Sequence, residues 1–151
     1  MGQRIVPMVA YADAAAAIDW LTEAFGFRER AEQRYTDEHG TVVHAEVEWA
    51  GEIVMLATPN QHYEGPRQHR ETCEIARRWQ DNPWVVDGLF VTVDDVDAHH
   101  ARAVAAGATV IRPLEDSPDA GLRLYTAEDC EGHRWMFGQP FATVSTSDTA
   151  G

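Results

Sequence analysis

Cysteine is scarce in this chain. Cys73 and Cys130 are the two among 151 residues, too few and too far apart for a disulfide framework. They make no Cys-x-x-Cys pair and have no evident activating partner, so neither thiol is expected to serve as a nucleophile. The expected setting is a reducing cytoplasm. Bases are scarce as well: 12 Lys+Arg stand against 25 Asp+Glu, for a net charge of −13. A field of that sign repels phosphate backbones and anionic lipid, which argues against a nucleic-acid or membrane partner. No apolar run approaches the roughly 18 residues of a membrane span. The opening residues, MGQRIVPMVAYAD, lack the apolar region and cleavage site of a secretory signal, and Val6 stands where a myristoylation motif needs Ser or Thr. What the chain does have is apolar residues, 44% of the total, enough to build the core of one ordinary domain.

The chain repeats itself. Shifted by 81 positions, the distance from Asp13 to Asp94, Gly26 falls on Gly107, Gly51 on Gly132, Met55 on Met136 and Pro59 on Pro140. A shared offset at both ends of a segment argues for duplication of one unit. Local patterning gives both copies the same element order. Arg4–Tyr11 reads as a strand, and Asp13 supplies a helix-capping oxygen. Ile18, Leu21 and Phe25 then form a helical stripe that ends at Gly26. Phe27–Thr36 reads as a second strand. Val43, Ala45, Val47 and Trp49 alternate with His44, Glu46 and Glu48 in a third, and Glu52–Thr58 makes a fourth. In the second copy Gly88–Val93 is a strand, Asp94 caps a helix to about Ala106, and Ala108–Arg112 is a strand followed by a loop from Pro113 to Ala120. Leu122–Ala127 and His133–Phe137 close the set. The expected fold class is α+β, built as two βαβββ modules at residues 1–58 and 86–140. A linker at 59–85 carries a helix around Arg70–Trp79, and 141–151 forms a loose tail.

Paired βαβββ units resemble the vicinal oxygen chelate superfamily, also called the glyoxalase/bleomycin-resistance/extradiol-dioxygenase family. Ile5-Val-Pro-Met-Val-Ala-Tyr-Ala-Asp13 carries the likeness, as do Val91-Thr-Val-Asp-Asp-Val-Asp97 with Ala105-Ala-Gly-Ala108. The third stretch, Glu128-Asp-Cys-Glu-Gly-His-Arg-Trp-Met-Phe137, is similar to the family's closing Asp-Pro-x-Gly-His signature, with Cys130 in place of proline. The resemblance implies two curled sheets enclosing a ligand cavity, and a homodimer that in some members completes that cavity. It also implies four metal-ligand positions, which here fall on Val6, Met55, Gly88 and Met136. None offers the imidazole or carboxylate that a hard or borderline divalent ion requires, so no metal and no cofactor are expected.

Strand alternation nominates the cavity residues. His44 and Glu46 are candidates for acid/base work, since imidazole titrates near neutrality and a desolvated carboxyl can be tuned. Met8, Met55, Phe90, Arg123, Tyr125, Arg134 and Met136 are candidate ligand contacts: an adaptable wall with a few orienting groups. Each has a plainer reading as sheet packing or as a structural ion pair. His62, His69 and Cys73 in the linker offer a rival zinc set, Trp79 and Trp84 an anchor for the linker, and His99-His100 a solvated helix face. The leading expectation is a metal-free receptor for a small organic molecule, with antibiotic sequestration as the suggested role. The acidic composition favours a cationic ligand. Two alternatives stay open: a lyase or isomerase using His44 and Glu46 or a metal at unaligned residues, and an interaction module whose cavity is filled.

Overall fold

A computed structural model describes residues 2–79, 81 and 87–142. Pro83, Trp84 and the tail from Thr143 lie outside the described residues. The chain is α+β, with two sheets and four helices among those residues. The elements in order are β1 (Met8–Ala10), α1 (Ala14–Phe25), β2 (Arg28–Glu29), β3 (Tyr35–Thr36), β4 (Val42–Trp49) and β5 (Glu52–Ala57). They continue with α2 (Pro66–Thr72), α3 (Glu74–Trp79), β6 (Gly88–Thr92), α4 (Val96–Ala105), β7 (Thr109–Ser117), β8 (Leu122–Glu128) and β9 (Arg134–Pro140). The first sheet runs β1-β5-β4-β2 with β3 added to β4, and the second runs β6-β9-β8-β7. In each, the first strand pairs parallel to the last.

Several boundaries differ from the sequence reading. The expected second strand, Phe27–Thr36, is two short strands separated by a 3-10 turn at Ala31–Gln33. The linker helix starts earlier and is cut in two at Cys73, whose backbone is extended. Pro113 sits inside β7 rather than opening a loop. That strand is at the sheet edge and slips register twice around it, which is where a residue without an N–H is tolerated. Asp95, not Asp94, caps α4 by accepting from the Ala98 amide at 3.0 Å. In β4, Val42 is buried and Val43 is exposed, the reverse of the alternation assigned to that end.

One core serves both units. Ile18, Leu21 and Phe25 of α1 pack with Val96 and Ala103 of α4. Val47, Val54 and Leu56 join from the first sheet, and Tyr125, Trp135 and Phe137 from the second. The rings of Phe25 and Phe137 lie 4.7 Å apart, and those of Phe27 and Trp135 5.3 Å. Arg102 of α4 donates to the terminal carbonyls of α1, Glu23 at 2.8 Å and Thr22 at 2.9 Å, where the helix leaves acceptors unpaired.

The β8–β9 connection locks this arrangement. Asp129 is fully buried and accepts from Tyr11 Oη at 2.6 Å, from Trp135 Nε1 at 2.9 Å, and from the amides of Glu131 and His133 at 3.0 Å each. Burial next to this carboxylate holds the Tyr11 phenol well above its usual range. Glu131 reaches back to the amides of Ala12 and Asp13 at the head of α1, and His133 Nε2 donates to Ala10 O at 2.7 Å. A loop in the second unit therefore fixes the start of the first.

Two predictions follow from these contacts. Asp129→Ala would leave four donors without their acceptor. It should lower stability by at least about 3 kcal/mol in urea denaturation followed by tryptophan fluorescence. In the same assay Asp95→Ala should cost about 1 kcal/mol and Asp94→Ala nearly nothing.

Candidate functional site

Each sheet turns one face to the shared core and the other to the outside of the chain. On the first sheet the helix-free face carries His44 and Glu46 from β4, Met55 from β5 and Met8 from β1. Met55 is registered opposite both Glu46 and Met8. Glu46 is buried, and its carboxylate accepts from Arg30 Nη1 at 2.6 Å. His44 Nε2 lies 3.4 Å from the other oxygen of Glu46, and its ring tilts toward Tyr35. This line of Arg30, Glu46 and His44 orients the imidazole. Met8 is 79% exposed beside it.

On the second sheet the corresponding face carries Phe90 from β6, Met136 and Arg134 from β9, and Thr126 and Glu128 from β8. Phe90 lies over Gly138, where a Cβ would fall 2.8 Å from its Cζ, and it remains 51% exposed. Thr126 Oγ1 is buried beside Met136 with no hydrogen-bond partner among the described residues. Glu128 gathers arginines: Arg70 in a bidentate pair at 2.5 and 2.9 Å, Arg67 at 3.4 Å and Arg134 at 3.9 Å. Burial raises its carboxyl, but the Arg70 and Arg67 guanidinium groups outweigh that and hold it below the usual glutamate range.

Arg123 and Tyr125 project from β8 on the opposite side to Thr126 and Glu128. An 81-residue offset carried through every strand would put Tyr125 in the place of His44. With Met55 matched to Met136, sheet register matches Met8 to Phe90 and Glu46 to Thr126, offsets of 82 and 80. The two-residue Ala50-Gly51 turn became a longer β8–β9 loop, and a slip of one residue moves a side chain to the opposite face. Tyr125 is thus in the core, its hydroxyl 2.6 Å from His99 Nδ1. Arg123 pairs with Asp97 of α4 and with Asp116. His99 is not on a solvated face either: it is buried, and its Nε2 donates to Phe25 O at 2.8 Å. An i, i+3, i+7 reading through Val96 and Ala103 would have placed it inward.

The sequence reading also missed Glu128, Arg67 and Arg70, because the two arginines lie about 60 residues from the carboxylate they pair with. His69 and Cys73 line a cavity beneath α2 and α3, yet no group of three or more His, Cys, Asp or Glu among the described residues is placed to hold a metal. At the family's ligand positions, Val6, Met55, Gly88 and Met136 supply an alkyl group, two thioethers and no side chain. That donor set does not fit a hard or borderline divalent ion. Burial pushes the Cys130 thiol up to about 12, so it stays protonated and inert.

Comparison with known proteins settles the family. The model of the Glyoxalase/Bleomycin resistance protein/Dioxygenase superfamily matches residues 4–137. This chain belongs to that superfamily. It is 33% identical to the uncharacterised protein Rv0887c of Mycobacterium tuberculosis (strain ATCC 25618 / H37Rv), covering 94% of this chain and 77% of that one. Among solved structures it resembles TioX from Micromonospora sp. ML1, with a TM-score of 0.65 and 34% identity over 95% of this chain and all of the other. It shares the fold of TnmS3, an antibiotic binding protein from Streptomyces sp. CB03234, with a TM-score of 0.58 and 23% identity over 93% and 98% of the two chains. No helix among the described residues is long and apolar enough to cross a membrane.

The buried imidazole gives this superfamily member a pH-dependent term. Burial depresses the pKa of His99, so the unfolded chain takes up the proton first. The contribution is complete above the ordinary histidine range and is lost as pH falls through it. The stability gap between wild type and His99→Asn, measured by denaturant titration, should therefore narrow from about pH 7.5 to about pH 5.5, by up to about 1.4 kcal/mol per pH unit.

Proposed function

We propose that the protein binds a small organic molecule in a cleft made by two copies of the chain, as part of a cytoplasmic homodimer. The carrying observation is that the helix-free faces of both sheets expose apolar side chains in one chain, Met8 at 79% and Phe90 at 51%. Met8 and Met55 flank the His44–Glu46 pair on one face, and Phe90 and Met136 flank Arg134 on the other. Because a common core binds the opposite faces of both sheets, closing these two onto one ligand requires a second copy. Methionine and aromatic walls adapt to a ligand's shape, and a few fixed polar groups orient it. The shared fold with TnmS3, an antibiotic binding protein, supports an antibiotic as the ligand and sequestration as the role. A preference for cations rests on the net charge of −13 alone. On the two faces Glu46 and Glu128 are already matched by arginines.

A second reading has its own observation, the alignment of Arg30, Glu46 and His44. A histidine oriented by a held carboxylate can exchange a proton with a bound ligand, the step that a lyase or isomerase of this superfamily needs.

Sedimentation should find a dimer, and a thermal-shift screen of aromatic antibiotics should find compounds that raise Tm. A monomer, or a dimer stabilised by none of them, contradicts the receptor reading. Mass spectrometry of each hit then separates the two readings. Unchanged ligand supports a receptor. A converted ligand, with conversion lost about a hundredfold in His44→Asn and Glu46→Gln while binding persists, supports an enzyme.

A further inference from the structure

Two methionines stand side by side on the helix-free face of the first sheet. Strand β1 runs parallel to β5 with Met8 beside Met55, and β4 runs antiparallel to β5 with Glu46 beside Met55. Met8, Met55 and Glu46 thus form one row across three strands. His44, two residues along β4, belongs to the next row on the same face. Ala57 and Ala10, in register with each other, share that row with it. Methyl side chains there leave the space above them to longer neighbours. A diagonal neighbour in a sheet lies about 7–8 Å away, within reach of a side chain as long as methionine. Both thioethers can therefore lean over the alanines toward the imidazole.

The imidazole is prepared as a ligand. One oxygen of Glu46 accepts from Arg30 Nη1 at 2.6 Å, and the other lies 3.4 Å from His44 Nε2. A carboxylate paired with a guanidinium only accepts, so Nε2 carries the proton of the neutral ring and the lone pair is on Nδ1. His44 Nδ1 has no hydrogen-bond partner among the described residues. A ring that gives one N–H to a held carboxylate and keeps its other nitrogen free is the usual arrangement of a metal-bound histidine. The neighbouring sulfurs decide which metal. Thioethers are soft, neutral donors that select monovalent copper and leave hard and borderline divalent ions without adequate ligands. With Glu46 matched by Arg30, the donors carry no net charge, which suits an ion of single charge.

We propose that Met8, Met55 and His44 form a site for a soft monovalent metal ion, Cu(I) or its analogue Ag(I), held by the two Sδ atoms and by His44 Nδ1. Glu46 and Arg30 do not touch the ion; they are positioning residues that hold the imidazole. Met8 is 79% exposed, so its sulfur is free to swing onto an ion arriving from solvent. A methionine kept for packing is covered by its neighbours, and this one is not. The net charge of −13 raises the concentration of cations at the surface. The site is complete within one chain and stands independently of the receptor reading, in which the same methionines serve as an apolar wall.

The test titrates Ag(I), which needs no reductant, into the full chain carrying Cys73→Ser and Cys130→Ser, so that no thiol competes. The methionine methyls and histidine nitrogens are isotope-labelled and read by nuclear magnetic resonance. The Met8 and Met55 methyls should shift together and saturate at one ion per chain, and the His44 Nδ1 signal should move with them. Binding should be at least about a hundredfold tighter than to N-acetylmethionine amide, because the three donors are held on one sheet. Met8→Leu, Met55→Leu and His44→Asn should each weaken it at least about tenfold with circular dichroism unchanged. Glu46→Gln should weaken it about tenfold while both methyls still shift, as a positioning role requires. Zn(II) should move neither methyl. If Cys130→Ser unfolds the chain, Cys73→Ser alone serves, since each methyl reports its own sulfur. The proposal is overturned if only one of the two methyls shifts, if the model amide binds as tightly, if His44→Asn has no effect, or if Zn(II) matches Ag(I). An antibiotic receptor without these shifts loses this site alone, and a silver-binding chain that fails the antibiotic screen keeps it.

Discussion

The rest of the structure depends on one buried carboxylate. Asp129 collects a phenol from the first unit, an indole from the second, and two amides of its own loop. A carboxylate taken out of water is costly unless its acceptor sites are filled, and these four donors fill them. Filling them brings Tyr11 to the β8–β9 loop, and with it the start of α1. The neighbours of Asp129 extend the hold. Glu131 takes the amides before α1, Glu128 takes the arginines of α2, and the carbonyls of Asp129 and Cys130 take Arg67. Six consecutive residues, 128–133, thus join both units and the linker. The family's closing signature has a structural meaning here that requires no metal.

Pulling the units together at this loop decides what is left outside. Helices α1 and α4 meet in the middle, with the aromatic rings of Phe25, Phe27, Trp135 and Phe137 between the sheets. The Met8 side of the first sheet and the Phe90 side of the second then stay exposed among the described residues. They are not uniform surfaces. The first is organised around a neutralised acid beside an imidazole, the second around an acid outnumbered by arginines. On the proposed reading, two chemically different faces would suit a ligand with distinct ends.

Much of the fold was legible because each unit is locally consistent. Asp13, the Ile18–Leu21–Phe25 stripe and Gly26 specify α1 from its own residues, and Gly26 adopts the left-handed backbone that its position requires. The orientation of β4 near Glu46 was legible for the same reason, since alternation is a local property. What failed depended on something distant. Tyr125 was misplaced because the repeat slips by a residue between strands, which only inter-strand pairing reveals. His99 was read as solvated because its partners, Tyr125 and Phe25, belong to other elements. The pairing of α2 with β8 was invisible for a related reason: Arg67 and Arg70 look like ordinary helix-surface residues until Glu128 is brought beneath them.

The central claim is that the open faces of the two sheets meet across copies of the chain. Isotope-filtered nuclear Overhauser measurements on a mixed sample test it most directly, with one copy methyl-labelled at methionine and the other unlabelled. The account predicts contacts from the Met8 and Met55 methyls of one copy to the Phe90 ring or Met136 of the other. Contacts between those groups confined to a single chain, or a dimer in which the labelled methyls see only solvent, would contradict it.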